Sequence, residues 1–150
     1  MEALQRLLIE RECGALVTDY CHFVDHGEAA RIADLFTKDG VWTSEQVTMS
    51  GRDELAAGFQ RRQDQAARMS RHVCNNLRLE VIDEDHAQGT VYLTLYRHDG
   101  EPGRRLSPLE QPEMVGEYRD EFVRTSDGWR ISRREIEISF LRRAPRTETT

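Results

Sequence analysis

The sequence predicts an α+β domain in which helices cover one curved antiparallel sheet around a mostly apolar pocket. Stretches with helical apolar spacing fill the first 68 residues, and four strand-like runs fill the remainder, with turn signals between them. Within the last run the apolar phase slips by one residue, the mark of a β-bulge, and bulges curl a sheet.

In the first segment Leu4, Leu7, Leu8, Leu16, Val17, Tyr20 and Val24 recur at intervals of three and four, with Arg6, Glu10, Glu12 and Asp19 on the opposite face. This helix should stop near Asp25-His26-Gly27, where glycine accommodates a left-handed turn. A second helix fits residues 28–36, with Ile32, Leu35 and Phe36 inward, and Lys38-Asp39-Gly40 reads as a turn into a short strand at Val41-Trp42. A third helix should start at Gly51-Arg52-Asp53-Glu54-Leu55 and run to about residue 68, with Leu55, Phe59 and Ala66 inward. Residues 72–83, 89–98, 114–125 and 129–140 read as strands, punctuated by Asp83-Glu84-Asp85, Asp99-Gly100 and Ser126-Asp127-Gly128. In the last of them Trp129 and Ile131 share one parity, whereas Ile136, Ile138 and Phe140 share the other. Residues 100–112 hold three prolines and read as a mobile loop. One domain over residues 1–142 with a flexible tail over 143–150 accounts for the chain.

Composition bounds the function. The 150 residues carry 27 acidic and 21 scattered basic side chains, a net charge of −6 that repels phosphate backbones, so nucleic acid is not expected as a partner. Three widely spaced cysteines, Cys13, Cys21 and Cys74, form no disulfide framework and suit a reducing compartment. No apolar run approaches the ~20 residues of a membrane span, and the N-terminal segment runs straight into an amphipathic helix pattern with no signal peptide. A cytoplasmic protein without membrane association is the expectation.

The sequence contains no His-Glu-x-x-His, no Gly-rich phosphate loop and no Gly-x-Ser-x-Gly elbow. His22 and His26, four apart at a helix end, read as solvated or capping histidines in preference to metal ligands, and no metal site is expected. The pair of interest is Asp25 and His72. A carboxylate at the C-terminal end of a helix opposes the helix dipole and needs a partner, and His72 opens the first long strand of the sheet that this helix should cover. Spacing alone leaves a second reading open: a surface aspartate and a strand-edge histidine.

The order of elements carries a resemblance across nearly the whole chain. Asp25 ends the first helix; Leu35-Phe36-Thr37-Lys38-Asp39-Gly40-Val41-Trp42 follows, then the stretch from Arg71-His72 to Asn76-Leu77-Arg78-Leu79-Glu80, Gly116-Glu117-Tyr118, and Asp127-Gly128-Trp129-Arg130-Ile131. It resembles the SnoaL-like branch of the nuclear-transport-factor-2-like superfamily, and within it scytalone dehydratase and hexachlorocyclohexane dehydrochlorinase. The resemblance implies a cone-shaped α+β barrel, a homotrimer, no metal or organic cofactor, and a small-molecule substrate. It also implies an Asp–His dyad in the cavity, matched here by Asp25 and His72, and an arginine after the last-strand tryptophan, matched by Arg134. Departures from the two enzymes fall at Val24, Trp42, Glu117-Tyr118-Arg119 and Tyr20, positions that would read the substrate.

The implied reaction is a lyase step, in which a proton leaves carbon and a leaving group departs from the adjacent carbon of a small, largely apolar cyclic molecule. A neutral imidazole is a suitable base, a carboxylate on its other nitrogen fixes the tautomer, and Arg134 would stabilise the leaving group or enolate unless it forms a surface ion pair. Tyr20, Trp42, Tyr92 and Tyr118 are candidates for lining the cavity, as are Cys74 and Asn76, which share the parity of His72. The same scaffold hosts isomerases, cyclases and epoxide hydrolases, the last needing carboxylates such as Asp120 or Glu137 to activate water. A small-ligand binder, or a counterpart of the structural small subunit of a ring-hydroxylating dioxygenase, is the non-catalytic alternative.

Overall fold

A computed structural model describes residues 1–143. Helix α1 (Ala3–Asp25) buries Ile9, Cys13, Leu16, Val17, Tyr20 and Val24, one stripe at steps of three and four. Leu4, Leu7 and Leu8 belong to the expected apolar pattern but are exposed, because packing begins only at Ile9. The helix stops where expected: Gly27 adopts a left-handed φ of 76°, and the Glu28 N–H donates back to the Phe23 carbonyl at 2.9 Å. Of the expected tail 143–150, residues 144–150 lie outside the described residues.

The second helix is a 3-10 helix, Ala29–Leu35, in which Ala29, Ile32, Ala33 and Leu35 are buried. Strand β1 (Phe36–Thr43) then begins earlier than expected. Lys38-Asp39-Gly40, read as a turn, instead forms a wide irregularity inside β1, between the pairs Phe36–Ile131 and Val41–Arg133. A Cβ at Gly40 would lie 3.0 Å from both Phe36 Cβ and the Thr37 carbonyl oxygen, a tight approach that favours glycine where the chain folds back on itself. After β2 (Thr48–Ser50), helix α2 (Gly51–Asp64) buries Leu55 and Phe59. It ends at Asp64, short of residue 68, and Ala66 is exposed. The next residues are claimed by a ladder: β3 (Arg68–Val81) starts at Arg68, which pairs with Asp99. Tertiary pairing overrides helix propensity here.

The other strands are β4 (His86–Asp99), β5 (Met114–Thr125) and β6 (Gly128–Leu141). The six form one sheet in the order β2-β1-β6-β5-β4-β3, antiparallel except for the β1–β6 pair. The phase slip in the last strand is a bulge at Ser132: Phe122 faces Ile131 whereas Glu121 faces Arg133. Inward positions therefore pass from Trp129 and Ile131 to Arg134 and Ile136, all buried. Second irregularities occur at Ser139 on β6 and at Asn76-Leu77 on β3, where Asn76 takes a φ of 57°. These kinks curl the open sheet around the helices. The loop over residues 100–112 is tied down by Arg104, which donates to the carbonyls of Ala67, His98 and Glu101 and to Ser107 Oγ. No helix among the described residues is long and apolar enough to cross a membrane.

Gly116 pairs with Ile138 beside the second irregularity of the β5–β6 ladder. A Cβ there would lie 2.1 Å from the Glu137 carbonyl oxygen. Gly116→Ala should destabilise the fold by about 2–3 kcal/mol through overpacking, seen as a lower urea midpoint at unchanged m value.

Candidate active site

The curled sheet and the helices enclose a chamber of about 580 Å³. Its walls are apolar over most of their area, with Val24 from α1, Phe59 from α2, Leu93 and Leu95 from β4, and Ile136 and Ile138 from β6.

Asp25 and His72 meet at this wall. Nδ1 of His72 lies 2.7 Å from Asp25 Oδ1, and the His72 backbone N–H donates to Oδ2, also at 2.7 Å. Ser70 Oγ donates to Oδ1 at 2.7 Å. The side chains are 5% and 11% exposed: β3 is the edge strand of the sheet, but the end of α1 covers it here, so the pair lies inside the fold and not on the surface. Burial pushes the Asp25 carboxyl upward, but the hydrogen bonds and charge of His72, with Ser70, hold it below the ordinary aspartate value of 3.8. An ionised carboxylate only accepts, so Nδ1 of His72 carries a proton in this contact. Nε2 has no partner among the described residues, and His72 lines the chamber.

Ser70 and Arg62 were not legible as site residues. Ser70 is buried two positions before His72 on the same strand face, and that shared parity was the available signal. Arg62, from α2, donates through Nη2 to Ser70 Oγ at 3.0 Å and to the Val24 carbonyl at 3.4 Å. A helical residue eight positions upstream offers no sequence cue to this contact.

Arg134 is placed differently from either expectation. It is fully buried, it makes no surface ion pair, and it does not line the chamber. Its Nε and Nη2 form a two-pronged bond with Asp120 at 2.7 and 2.6 Å. Its Cζ lies 4.0 Å from the Tyr118 ring centroid and 4.3 Å from that of Tyr20. Nη1 has no hydrogen-bond partner among the described residues, and the two aromatic faces supply the attraction a second acceptor would. Burial works against this cation, but Asp120 raises its pKa well above the ordinary arginine value.

Tyr20, Tyr118 and Trp42 line the chamber. Trp42 Nε1 donates to the Tyr20 hydroxyl at 3.0 Å, and the Tyr20 and His72 ring centroids stand 6.5 Å apart, edge to face. Burial pushes the Tyr20 phenol up to about 12, against the charge of Arg134 and the Trp42 bond, so it stays protonated at neutral pH. The other three candidates lie elsewhere. Cys74 faces α1, its sulfur 3.4 Å from that of Cys21. Asn76 occupies the β3 bulge, and Tyr92 is 53% exposed; neither lines the chamber. Inward parity fails at Asn76 because the strand kinks there, whereas Tyr92 has the outward parity of β4. The carboxylates that would activate water are engaged outside the chamber: Asp120 with Arg134, and Glu137 with Arg119. His22 and His26 stack at a centroid distance of 4.4 Å, and no metal-binding group of three or more His, Cys, Asp or Glu occurs among the described residues.

A curled six-stranded sheet, helices over its concave side and a chamber with a buried carboxylate–imidazole pair define a class of small α+β pocket proteins. The chain belongs to the SnoaL-like domain family, whose profile matches residues 5–135. Solved structures agree in fold. A candidate scytalone dehydratase from Novosphingobium aromaticivorans is 18% identical, with 93% of this chain and 89% of that chain covered and a TM-score of 0.78. A hexachlorocyclohexane dehydrochlorinase from Novosphingobium barchaimii is 18% identical over 99% of each chain, with a TM-score of 0.75. A nuclear-transport-factor-2-like protein with a cystatin-like fold, also from Novosphingobium aromaticivorans, is 26% identical, covering 91% and 86% of the two chains, with a TM-score of 0.75. No curated protein matches the chain significantly.

Two stability predictions follow from these charges. Asp120→Asn leaves the Arg134 cation buried without its counter-charge and should cost about 3–5 kcal/mol, measured by urea unfolding at neutral pH. The depressed Asp25 pKa makes the folded state bind fewer protons than the unfolded state just below pH 3.8. Its contribution is fully present above that value and is lost as pH falls through the lower folded pKa. Asp25→Asn should therefore flatten the acid limb of a stability–pH curve, a change that parallel urea titrations of the two proteins would register.

Proposed function

We propose that this protein is a cofactor-free lyase of the dehydratase or dehydrohalogenase kind, acting on a small, largely apolar cyclic substrate. The observation that supports this most directly is the 2.7 Å contact between Asp25 and Nδ1 of His72 at the wall of an apolar chamber. In this reading Nε2 of His72 takes a proton from a substrate carbon, and the electron pair left behind expels a leaving group from the adjacent carbon. Asp25 holds the productive tautomer and stabilises the imidazolium that forms. Arg134 acts as a positioning residue: clamped by Asp120, it holds the Tyr20 and Tyr118 rings that wall the chamber. The Tyr20 hydroxyl, oriented by Trp42, is placed to donate a hydrogen bond to a departing oxygen or halide.

The test begins with hydroxylated and halogenated cyclic compounds screened for proton exchange in deuterated water. With a substrate in hand, His72→Ala should reduce turnover about 10²–10⁴-fold, the usual contribution of a positioned base. Asp25→Asn should reduce it as well, chiefly in kcat. Undiminished turnover in both folded variants would end the reading.

We also propose a homotrimer, the assembly implied by the family resemblance. Leu4, Leu7 and Leu8 on α1, with Tyr92 and Phe140 on the sheet, expose apolar surface that self-association would cover. Light scattering at micromolar concentration should return three times the 17.4 kDa chain mass; a monomer would refute the assembly.

A further inference from the structure

The charged groups of the chamber wall run against the character of the chain. The protein has a net charge of −6. Yet four arginines line the chamber, Arg61, Arg62, Arg68 and Arg97, against a single carboxylate, Glu45. Two of the four are neutralised in place. Arg68 grips Asp99 through two bonds of 2.9 Å, and Arg97 holds Glu113 at 2.7 Å. Arg61 and Arg62 have no acidic partner within 4 Å among the described residues.

Arg62 is the more informative of the two. It is half-buried, and only its Nη2 is engaged, with Ser70 Oγ and the Val24 carbonyl. Nε and Nη1 have no partner among the described residues. Asp25 is not its direct counter-ion: the two make no contact of their own and meet only through the Ser70 hydroxyl, while His72 supplies the other two bonds to the carboxylate. A partly desolvated guanidinium with free donors, opening on an apolar chamber, is a receptor for an oxyanion.

We propose that the substrate of this chamber carries an anionic oxygen group, carboxylate-like in shape and charge, on an otherwise apolar ring, and that Arg62 binds that group, with Arg61 adding charge nearby. The inference rests on the reading that the chamber holds the substrate. The apolar walls accept the ring, and Arg62, joined to Asp25 through the single hydroxyl of Ser70, holds the anion close to His72. The electrostatic duty expected of Arg134 passes to a different arginine. Arg134 is sealed beneath two tyrosines, whereas Arg62 faces the chamber and can also stabilise negative charge that develops as the carbon loses its proton.

Calorimetric titration with a naphthalene carboxylate and its carboxamide, equal in shape and different in charge, tests the inference without turnover. The wild-type protein should bind the carboxylate about 10-fold to 100-fold more tightly than the amide, the range for a hydrogen bond to a charged group. The preference should shrink with added salt. Arg62→Met should abolish it by weakening the carboxylate while leaving the amide within about twofold, and Arg62→Lys should restore part of it. Equal binding of the two ligands by the wild type, no binding of the carboxylate, or a preference surviving in Arg62→Met would overturn the inference. If Arg62→Met fails to fold, the wild-type comparison and Arg62→Lys decide, since a lysine that leaves the preference at full strength also counts against recognition by the guanidinium. His72→Ala separates this reading from the lyase reading. That variant should keep the anion preference while losing turnover; keeping both would sink the lyase and leave the anion site standing.

Discussion

A buried carboxylate at the end of a helix is an unfavourable object. Desolvation opposes its charge, and the negative end of the helix dipole opposes it again. Asp25 is tolerated because three donors converge on it, all from β3: the His72 ring, the His72 backbone N–H and the Ser70 hydroxyl. The same three bonds fasten the last turn of α1 to the start of the β3–β4 ladder. Loss of the charge would loosen the contact between helix and strand as well as the orientation of the imidazole. Stability and site geometry therefore depend on one group, which is why the chamber wall at His72 can be rigid although it lies where a helix ends and a strand begins.

Two arginines in this fold show how burial decides what a guanidinium does. Arg134 has given up water altogether, and everything around it compensates: a two-pronged carboxylate and two ring faces. Such a group is a strut whose partners were fixed at folding. Arg62 has lost only part of its solvent and keeps unpartnered donors on a cavity. It resembles an unfilled socket. The Tyr20 ring packs against Arg134 and lies edge to face with His72, while its hydroxyl accepts from Trp42.

Much of the fold was legible because its determinants are local. The stop of α1 follows from a glycine able to take a positive φ, and the limits of β5 follow from alternation bounded by turn residues. The bulge at Ser132 was readable as a phase slip, since a strand's two-residue period records any insertion. The elements misread were those whose fate is set by a partner far along the chain. Residues 65–68 have helical character, but Asp99 and its neighbours draw Arg68 into a ladder. Lys38-Asp39-Gly40 has turn chemistry, but the parallel pairs that Phe36 and Val41 make with β6 on either side hold it as an irregularity inside one strand. Leu4, Leu7 and Leu8 keep the apolar period of their helix beyond the point where the fold offers anything to pack against.

The amino-acid sequence by itself determined the α+β class, the order of elements, the curl of the sheet and the two residues whose side chains meet at the chamber wall. These follow from short-range periodicity, turn chemistry and a recognisable order of motifs. Only the tertiary structure decided which charges are spent and which are open. Asp120 lies across the β5–β6 ladder from Arg134 and consumes it, while Ser70 and Arg62, from a strand and a helix, extend the Asp25–His72 pair toward the cavity. The physical reason is that an ionisable side chain's role is set by its solvent and its neighbours within a few ångströms. Those neighbours come from strands and helices that the chain's own periodicity does not connect.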